Sequence, residues 1–133
     1  MGYKKKKHIL YRQGYRLIKC ADHPFADSKG FVKEHRIVVE QYLLNDDNSI
    51  IINGRKYLSS NFVVHHIDFN RLNNVPTNLL VMSISEHKSM HNKLYDKEYF
   101  LYYCQTFNLN PDVVKETRSD FKAGRYKKYI KEL

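Results

Sequence analysis

Two adjacent histidines end the stretch Phe62-Val63-Val64-His65-His66. Asn78 follows 12 residues after His66, and the run His87-Lys88-Ser89-Met90-His91 adds two more histidines. Four of the seven histidines of the chain therefore lie within 27 positions. Imidazole is the commonest metal ligand in proteins and a common proton acceptor near neutral pH. This segment is therefore a candidate active site.

The residues around the histidines predict the order strand, loop, strand, helix. Apolar β-branched residues predict a strand over 62–66, and the Asn-rich sequence that follows predicts a loop over 67–77. A second strand is expected over 79–82. Ser83 and Glu86 have the spacing of a capping box, which predicts a helix to about residue 95.

These elements decide which histidines can meet. His87 and His91 are four residues apart in the predicted helix and therefore project from one face. Neighbouring residues of a strand point to opposite sides, so only one member of the pair can join them. His65, His87 and His91 then supply three nitrogens around an open metal site. His66 points away from the metal and is free to act as a base on a water molecule.

The flanking sequence predicts an α+β fold. Asn53-Gly54 is a two-residue turn signal inside a predicted hairpin. The other predicted elements are a strand within 14–20, a return strand at 31–32, a helix over 34–44, a helix over 96–107 and a last helix from Asn110 toward Leu133, interrupted near Gly124.

The charge of the chain is concentrated at its ends. The 133 residues, enough for one domain with a core, carry a net charge of +9. Residues 1–20 hold seven Lys and Arg and no acid, and residues 115–133 hold seven against three acids, which leaves the middle at −2. Basic ends around a near-neutral centre favour nucleic acid as the partner. Solvated charge runs are the alternative, and neither end has the amphipathic face of a membrane anchor.

Composition excludes several classes of protein. No apolar run approaches the 18 residues of a membrane span, and the start lacks the apolar stretch of a signal peptide. Cys20 and Cys104 form no C-x-x-C pair, which excludes a four-cysteine zinc ribbon. We therefore expect a soluble intracellular protein with reduced thiols.

In these features the chain resembles the HNH endonucleases, also called ββα-metal or His-Me finger nucleases. The resemblance covers roughly residues 14–92. Its part upstream of the histidine pair contains none of the predicted metal ligands and therefore supports the resemblance independently of them. The segment 45–61 is longer than the turn usual in the family; it is either an inserted hairpin that touches DNA or a decorated loop. The matching segments are Val63-Val64-His65-His66-Ile67-Asp68, Asn73-Asn74, Thr77-Asn78-Leu79, Ser85-Glu86-His87-Lys88-Ser89-Met90-His91, His23-Pro24-Phe25-Ala26-Asp27 and Gly30-Phe31-Val32-Lys33-Glu34-His35-Arg36-Ile37-Val38-Val39-Glu40.

The resemblance implies a metal-dependent endonuclease that hydrolyses double-stranded DNA and leaves 5′-phosphate and 3′-hydroxyl ends. His66 matches the general base, and His65, His87 and His91 match metal-ligand positions. Asn78 matches the asparagine that braces the finger and orients the base. The implied cofactor is a divalent metal ion, Mg²⁺ or Mn²⁺, with Zn²⁺ and Ni²⁺ as alternatives.

The predicted layout is one nuclease domain over 1–133. It consists of a basic arm at 1–20, a ββα-metal finger at 62–92 and a helical basic extension at 96–133. A homodimer stays open, because one finger cuts one strand, and the expected location is the cytoplasm of a bacterial or phage-infected cell. The predicted DNA-binding residues are Lys4, Lys5, Lys6, Lys7, Arg71, Arg125, Lys127 and Lys128.

Several assignments have alternatives. Arg36 is a candidate catalytic residue that would clamp the scissile phosphate, or it forms a salt bridge with Glu40. Asp68 orients a histidine or caps the Asn-rich loop. Two other functions also stay open: a non-catalytic DNA-binding module with a structural zinc ion, and a nonspecific nuclease that also cuts RNA.

Overall fold

The computed structural model describes residues 8–131, so the predicted DNA contacts Lys4, Lys5, Lys6 and Lys7 lie outside the described residues. Within these residues, seven short strands and four α-helices confirm the α+β prediction. The first sheet is antiparallel in the order β1-β2-β3 and consists of β1 (Ile9–Arg12), β2 (Tyr15–Lys19) and β3 (Phe31–Lys33). None of the helices within 8–131 is long and apolar enough to cross a bilayer.

Strand β1 falls where the sequence suggested a basic arm. Gln13 and Gly14 have φ values of 55° and 79°, which close a tight two-residue hairpin turn between Arg12 and Tyr15. A Cβ atom on Gly14 would lie 2.8 Å from the ring of Phe121, so the close approach also requires glycine. The prediction of a basic arm missed this hairpin, because lysines and arginines flank the short run of apolar and aromatic residues that forms β1.

The next three elements lie close to their predicted positions. Helix α1 (Glu34–Tyr42) follows β3 directly, and its Val39 is fully buried. The hairpin of β4 (Ser49–Ile52) and β5 (Arg55–Leu58) turns at Asn53 and Gly54, whose φ values are 49° and 80°. One core cluster joins Val39 to Leu58 and Leu79 and thereby holds this hairpin against α1.

The central segment folds in the predicted order. Strands β6 (Phe62–His66) and β7 (Leu79–Ser83) pair antiparallel, with His65 opposite Leu80. Helix α2 (Ile84–Lys93) follows without a loop. Its capping box is complete, because the Ser83 side chain accepts from the Glu86 backbone and the Glu86 side chain accepts from the Ser83 backbone.

Two helices cover one side of α2. Helix α3 (Lys97–Thr106) packs with α2 and α4 (Pro111–Lys122) around a core that includes Met90, Tyr103 and Val114. The last helix is interrupted near Gly124 as predicted, because α4 ends at Lys122, and within the described residues no further α-helix continues toward Leu133. Gly124 then adopts a φ of 78°, a conformation that stops a helix.

Candidate metal and base site

Three histidines meet on one side of β6. One ligand atom from each of His65, His87 and His91 can be chosen so that all lie within 4.8 Å of one another. The Nε2 atoms of His87 and His91 are 2.9 Å apart, as the i, i+4 spacing on α2 predicts. His65 reaches them from the strand and is 3% exposed. The structure therefore brings together the three residues predicted as metal ligands.

A tyrosine from α3 fixes the proton of His65. The Tyr103 hydroxyl donates to the Ile67 carbonyl at 2.5 Å, so it can only accept from His65 Nε2, 2.8 Å away. His65 Nε2 therefore carries the proton, and Nδ1 keeps the lone pair that a metal requires. Metal-bound histidines commonly donate their second nitrogen in this way.

Burial keeps the three imidazoles in their metal-binding form. Burial, with smaller contributions from the neighbouring histidines and the positive charge of Arg118, lowers the pKa of His65 to about 3 and that of His91 to about 4. Burial also lowers the pKa of His87. Neutral imidazole is the form that binds metal, so no proton has to be displaced near pH 7.

His66 lies on the other side of the strand and has different partners. Asn74 Nδ2 donates to a carboxylate oxygen of Glu34 at 2.8 Å, which forces its Oδ1 toward His66 Nε2, 2.7 Å away. His66 therefore holds its proton on Nε2, and Nδ1 is the atom that can accept another. Glu34 is itself paired with Arg16.

Two rings, that of His35 and beyond it that of Tyr15, lie beside His66. The His35 ring packs edge-on against the His66 ring, with centroids 5.1 Å apart, and touches Tyr15 on its other side. Burial lowers the pKa of His35 to about 3. Burial also lowers the pKa of His66, and the Asn74 hydrogen bond and the charge of Asp68 partly offset that effect. Both rings are therefore neutral near pH 7.

Asn78 and Asp68 hold the loop between the two strands. Buried Asn78 donates from Nδ2 to Asp68 Oδ1 and to the Asn73 carbonyl, both at 2.9 Å. Its Oδ1 accepts from the Asp68 backbone, and its carbonyl accepts from Ile67. Asp68 also accepts from the Asn70 backbone. These bonds favour the loop-capping alternative for Asp68 and give Asn78 the position of a brace.

Arg36 is engaged in contacts within the domain. Its Nε lies 3.2 Å from Glu40 Oε2, a second nitrogen donates to the Leu58 carbonyl, and its guanidinium stacks 4.2 Å from the centre of the Phe25 ring. These contacts favour the salt-bridge alternative over a phosphate clamp. Arg36 nevertheless lines a cleft of about 430 Å³ that also reaches His87.

The predicted DNA-binding residues have different surroundings. Arg71 lies beside the base side of the site, 5.1 Å from the Tyr15 ring centre, and donates to the Gln13 carbonyl. Arg125 and Lys128 instead contact the buried carboxylate of Asp120, at 3.1 and 2.7 Å. Lys127 is exposed. The paired cations are therefore less available to a phosphate than their positions in the sequence suggested.

The sequence reasoning missed two partners of the histidine pair. The predicted loop over 67–77 gave Asn74 no contact with a histidine, and the predicted helix over 96–107 gave none to Tyr103. The Asn-Asn pair in the matching segments was the available signal for Asn74. No local pattern signals Tyr103, because its contact with His65 joins residues 38 positions apart.

Comparison with known families supports the identity of the central segment. The sequence model of the HNH endonuclease family matches residues 52–89, which include the hairpin strand β5, the histidine pair, Asn78 and His87. Comparison with curated proteins and with solved structures found no match. Residues 52–89 therefore match the HNH endonuclease family, and the resemblance seen in the sequence is confirmed there.

Proposed function

We propose that this chain is a metal-dependent endonuclease that hydrolyses DNA phosphodiester bonds, with residues 62–92 as a ββα-metal finger. One observation carries the proposal: β6 separates a cluster of three imidazoles from a fourth imidazole whose proton is fixed. A metal site beside a general base is what phosphodiester hydrolysis requires. The HNH match supports a nuclease-type activity.

His66 is the general base in this proposal. Asn74 keeps the proton on Nε2, so Nδ1 accepts a proton from the attacking water. The lowered pKa of His66 keeps the ring neutral, and therefore able to accept that proton, at pH 7. A positioned base of this kind contributes typically about 10²–10⁴-fold to the rate.

The donor set fits a divalent metal ion. His65, His87 and His91 would hold it, and three protein ligands leave positions open for water and substrate. When bound, the ion supplies positive charge that stabilises the extra negative charge on the phosphate oxygens. Nitrogen donors favour Zn²⁺ or Ni²⁺ by affinity, whereas Mg²⁺ and Mn²⁺ are the ions that the resemblance implied, so the test compares all four.

Double-stranded DNA is the proposed substrate. Lys33 and Arg71 both pack against the Tyr15 ring, at 4.4 and 5.1 Å from its centre. Arg71 acts electrostatically on both Lys33 and His66, and a phosphate bound beside Lys33 and Arg71 would offset the repulsion between these two cations. One finger cuts one strand, so cleavage of both strands takes a homodimer or two successive nicks.

Nicking of supercoiled plasmid tests the proposal. The wild-type protein is incubated with Mg²⁺, Mn²⁺, Ni²⁺ or Zn²⁺, beside His66→Ala and the matched control His8→Ala, which removes an exposed histidine. We expect open-circular product from wild type and control, and a rate lower by about 10²–10⁴-fold for His66→Ala. His66→Ala should still bind metal and duplex DNA as the wild type does.

Each other outcome has a meaning. Nicking by His66→Ala at the wild-type rate would show that His66 is not the base. A wild-type protein that cuts nothing with any of the four ions would instead indicate the non-catalytic DNA-binding module with a structural zinc ion. Equal cleavage of RNA, single-stranded DNA and duplex DNA would replace the DNA substrate with nucleic acid in general.

A further inference from the structure

Helix α4 separates its charges onto different faces. Lys115, Arg118 and Lys122 are spaced i, i+3 and i+7 and therefore share one face. The acids Glu116 and Asp120 face the segment after the helix, where Lys128 contacts both of them. Across the described part of the chain, the three cations of the first face form no ion pair with a carboxylate.

The cationic face of α4 forms one wall of a cleft beside the histidine cluster. The cleft has a volume of about 540 Å³, and Arg71, from the loop between β6 and β7, contributes a fourth cation. Within residues 8–131 no acid lines it, whereas Asp27 lines the cleft at Arg36. The residues that line this α4 cleft are Phe69, Arg71, His91, Tyr95, Lys115, Arg118, Ser119, Phe121 and Lys122.

Arg118 is the cation of this cleft nearest to the cluster. Its guanidinium lies 4.7 Å from the centre of the Phe69 ring, and that ring packs against His65 at 5.1 Å and His91 at 5.9 Å. A single aromatic ring therefore separates Arg118 from two candidate metal ligands. Tyr95, which is 79% exposed, lies at the same cleft and offers a face on which a base can stack.

We infer that the α4 cleft binds the phosphate backbone of the nucleic-acid strand that is cut, with Arg118 and Lys122 contacting phosphates next to the scissile one. The inference rests on the proposed nuclease function and adds a binding surface most of whose residues lie beyond the matched family segment, which ends at Ser89. Four cations without a facing acid attract a polyanion, and the cleft leads to His91, so the bound strand would reach the metal cluster. In the C-terminal region, the sequence predicted phosphate contacts at residues after α4, whereas this inference assigns the main contacts to α4 itself.

The salt dependence of DNA binding tests this inference. Binding of a fluorescein-labelled duplex of about 20 base pairs is measured by anisotropy in EDTA, which prevents cleavage, between about 50 and 200 mM NaCl. The variants are Arg118→Gln, Lys122→Gln and the control Lys29→Gln, which removes one exposed charge away from the cleft. Each lost phosphate contact should reduce the slope of log K against log salt by about 0.9. Thermal melting of each variant checks that it is folded.

The expected result is a shallower slope for Arg118→Gln and Lys122→Gln and an unchanged slope for Lys29→Gln. If both cleft variants keep the wild-type slope, the cleft is not the strand site, and plasmid nicking by the wild type would still support the nuclease. If the slopes fall but the wild type nicks nothing with any metal ion, the cleft stands as a nucleic-acid binding surface, whereas the nuclease proposal fails and the position beside a scissile phosphate fails with it. An equal reduction of the slope in all three variants would reflect net charge alone and overturn the inference.

Discussion

His65 and His66 are neighbours in β6, but the two sides of the strand are built from different parts of the chain. The partners of His65 follow the strand in sequence and come from α2 and α3. The partners of His66 come from α1, which precedes the strand, and from the loop that follows it. The metal side and the base side therefore share β6 and the loop after it, and differ in the helices that supply their other partners.

The two sides share a pattern and differ in where it ends. Each histidine donates from Nε2 to a fixed oxygen and so keeps Nδ1 unprotonated. Behind His65 the chain of bonds ends on the neutral carbonyl of Ile67. Behind His66 it ends on the carboxylate of Glu34. A metal ligand never gains a proton, whereas a base does, and a nearby carboxylate stabilises the imidazolium that then forms.

Removing one histidine from each side should affect different properties, metal affinity on one side and the base on the other. This is the largest effect that we expect. His91→Ala removes a ligand and should reduce metal affinity by more than the roughly 10–100-fold that an outer partner is worth. His66→Ala should leave metal affinity unchanged and abolish nicking. Isothermal titration with Zn²⁺ or Ni²⁺ and plasmid nicking measure the two properties separately.

The comparison fails if the two variants behave alike. Loss of metal from His66→Ala would place His66 among the ligands. Full metal affinity in His91→Ala would remove that residue from the site. His8→Ala, which changes an exposed histidine, serves as the control in both assays.

The hydroxyl that holds His65 should have a smaller effect, confined to the metal side. Tyr103→Phe removes the acceptor of the His65 Nε2 proton and keeps the ring in the core. We expect metal affinity to fall about 10–100-fold by isothermal titration, because the ligand loses its fixed tautomer and orientation. Tyr102→Phe, one residue earlier and 64% exposed, is the matched control and should bind metal as the wild type does. Unchanged affinity in Tyr103→Phe would reduce the tyrosine to a packing residue.

Local signals predicted most of the fold around the site. Asn53-Gly54 marked a hairpin, and the capping box at Ser83 marked the start of α2, because turns and caps depend on residues close in sequence. The alternation of side chains along a strand was enough to assign His65 and His66 to opposite faces of β6. The hairpin turn at Gln13-Gly14 was missed, because glutamine is an unusual residue at a positive φ.

Partners that act across long sequence distances could not be predicted. Tyr99, Tyr103 and Phe107 have the i, i+4, i+8 spacing of ordinary core residues on a helix, and only the packing of α3 brings the Tyr103 hydroxyl to His65. In the sequence, Arg125 and Lys128 looked free to bind phosphate. The chain turns back after α4 ends, and this turn brings both residues to the carboxylate of Asp120. The sequence was enough to place Lys115, Arg118 and Lys122 on one helix face, but it did not predict that this face lies beside His91.

Asn74 offers the finest test of the difference between the two sides. Asn74→Ala removes both the acceptor of the His66 proton and the link to Glu34. We expect kcat to fall about 10-fold, the lower end of the range for an outer partner, while KM and metal affinity stay at wild-type values. Single-turnover cleavage and isothermal titration provide these measurements, with Asn61→Ala, an exposed asparagine just before β6, as the control.

A purely structural role for Asn74 would give another result, because a distorted β6 would move both of its faces. Metal affinity would then fall together with kcat, as it should not if the bond acts on His66 alone. Glu34→Gln refines the test, since a glutamine oxygen can still accept from Asn74 but carries no charge. If the carboxylate stabilises the protonated base, Glu34→Gln should slow cleavage with the Asn74 link intact. If it only positions Asn74, cleavage should keep the wild-type rate.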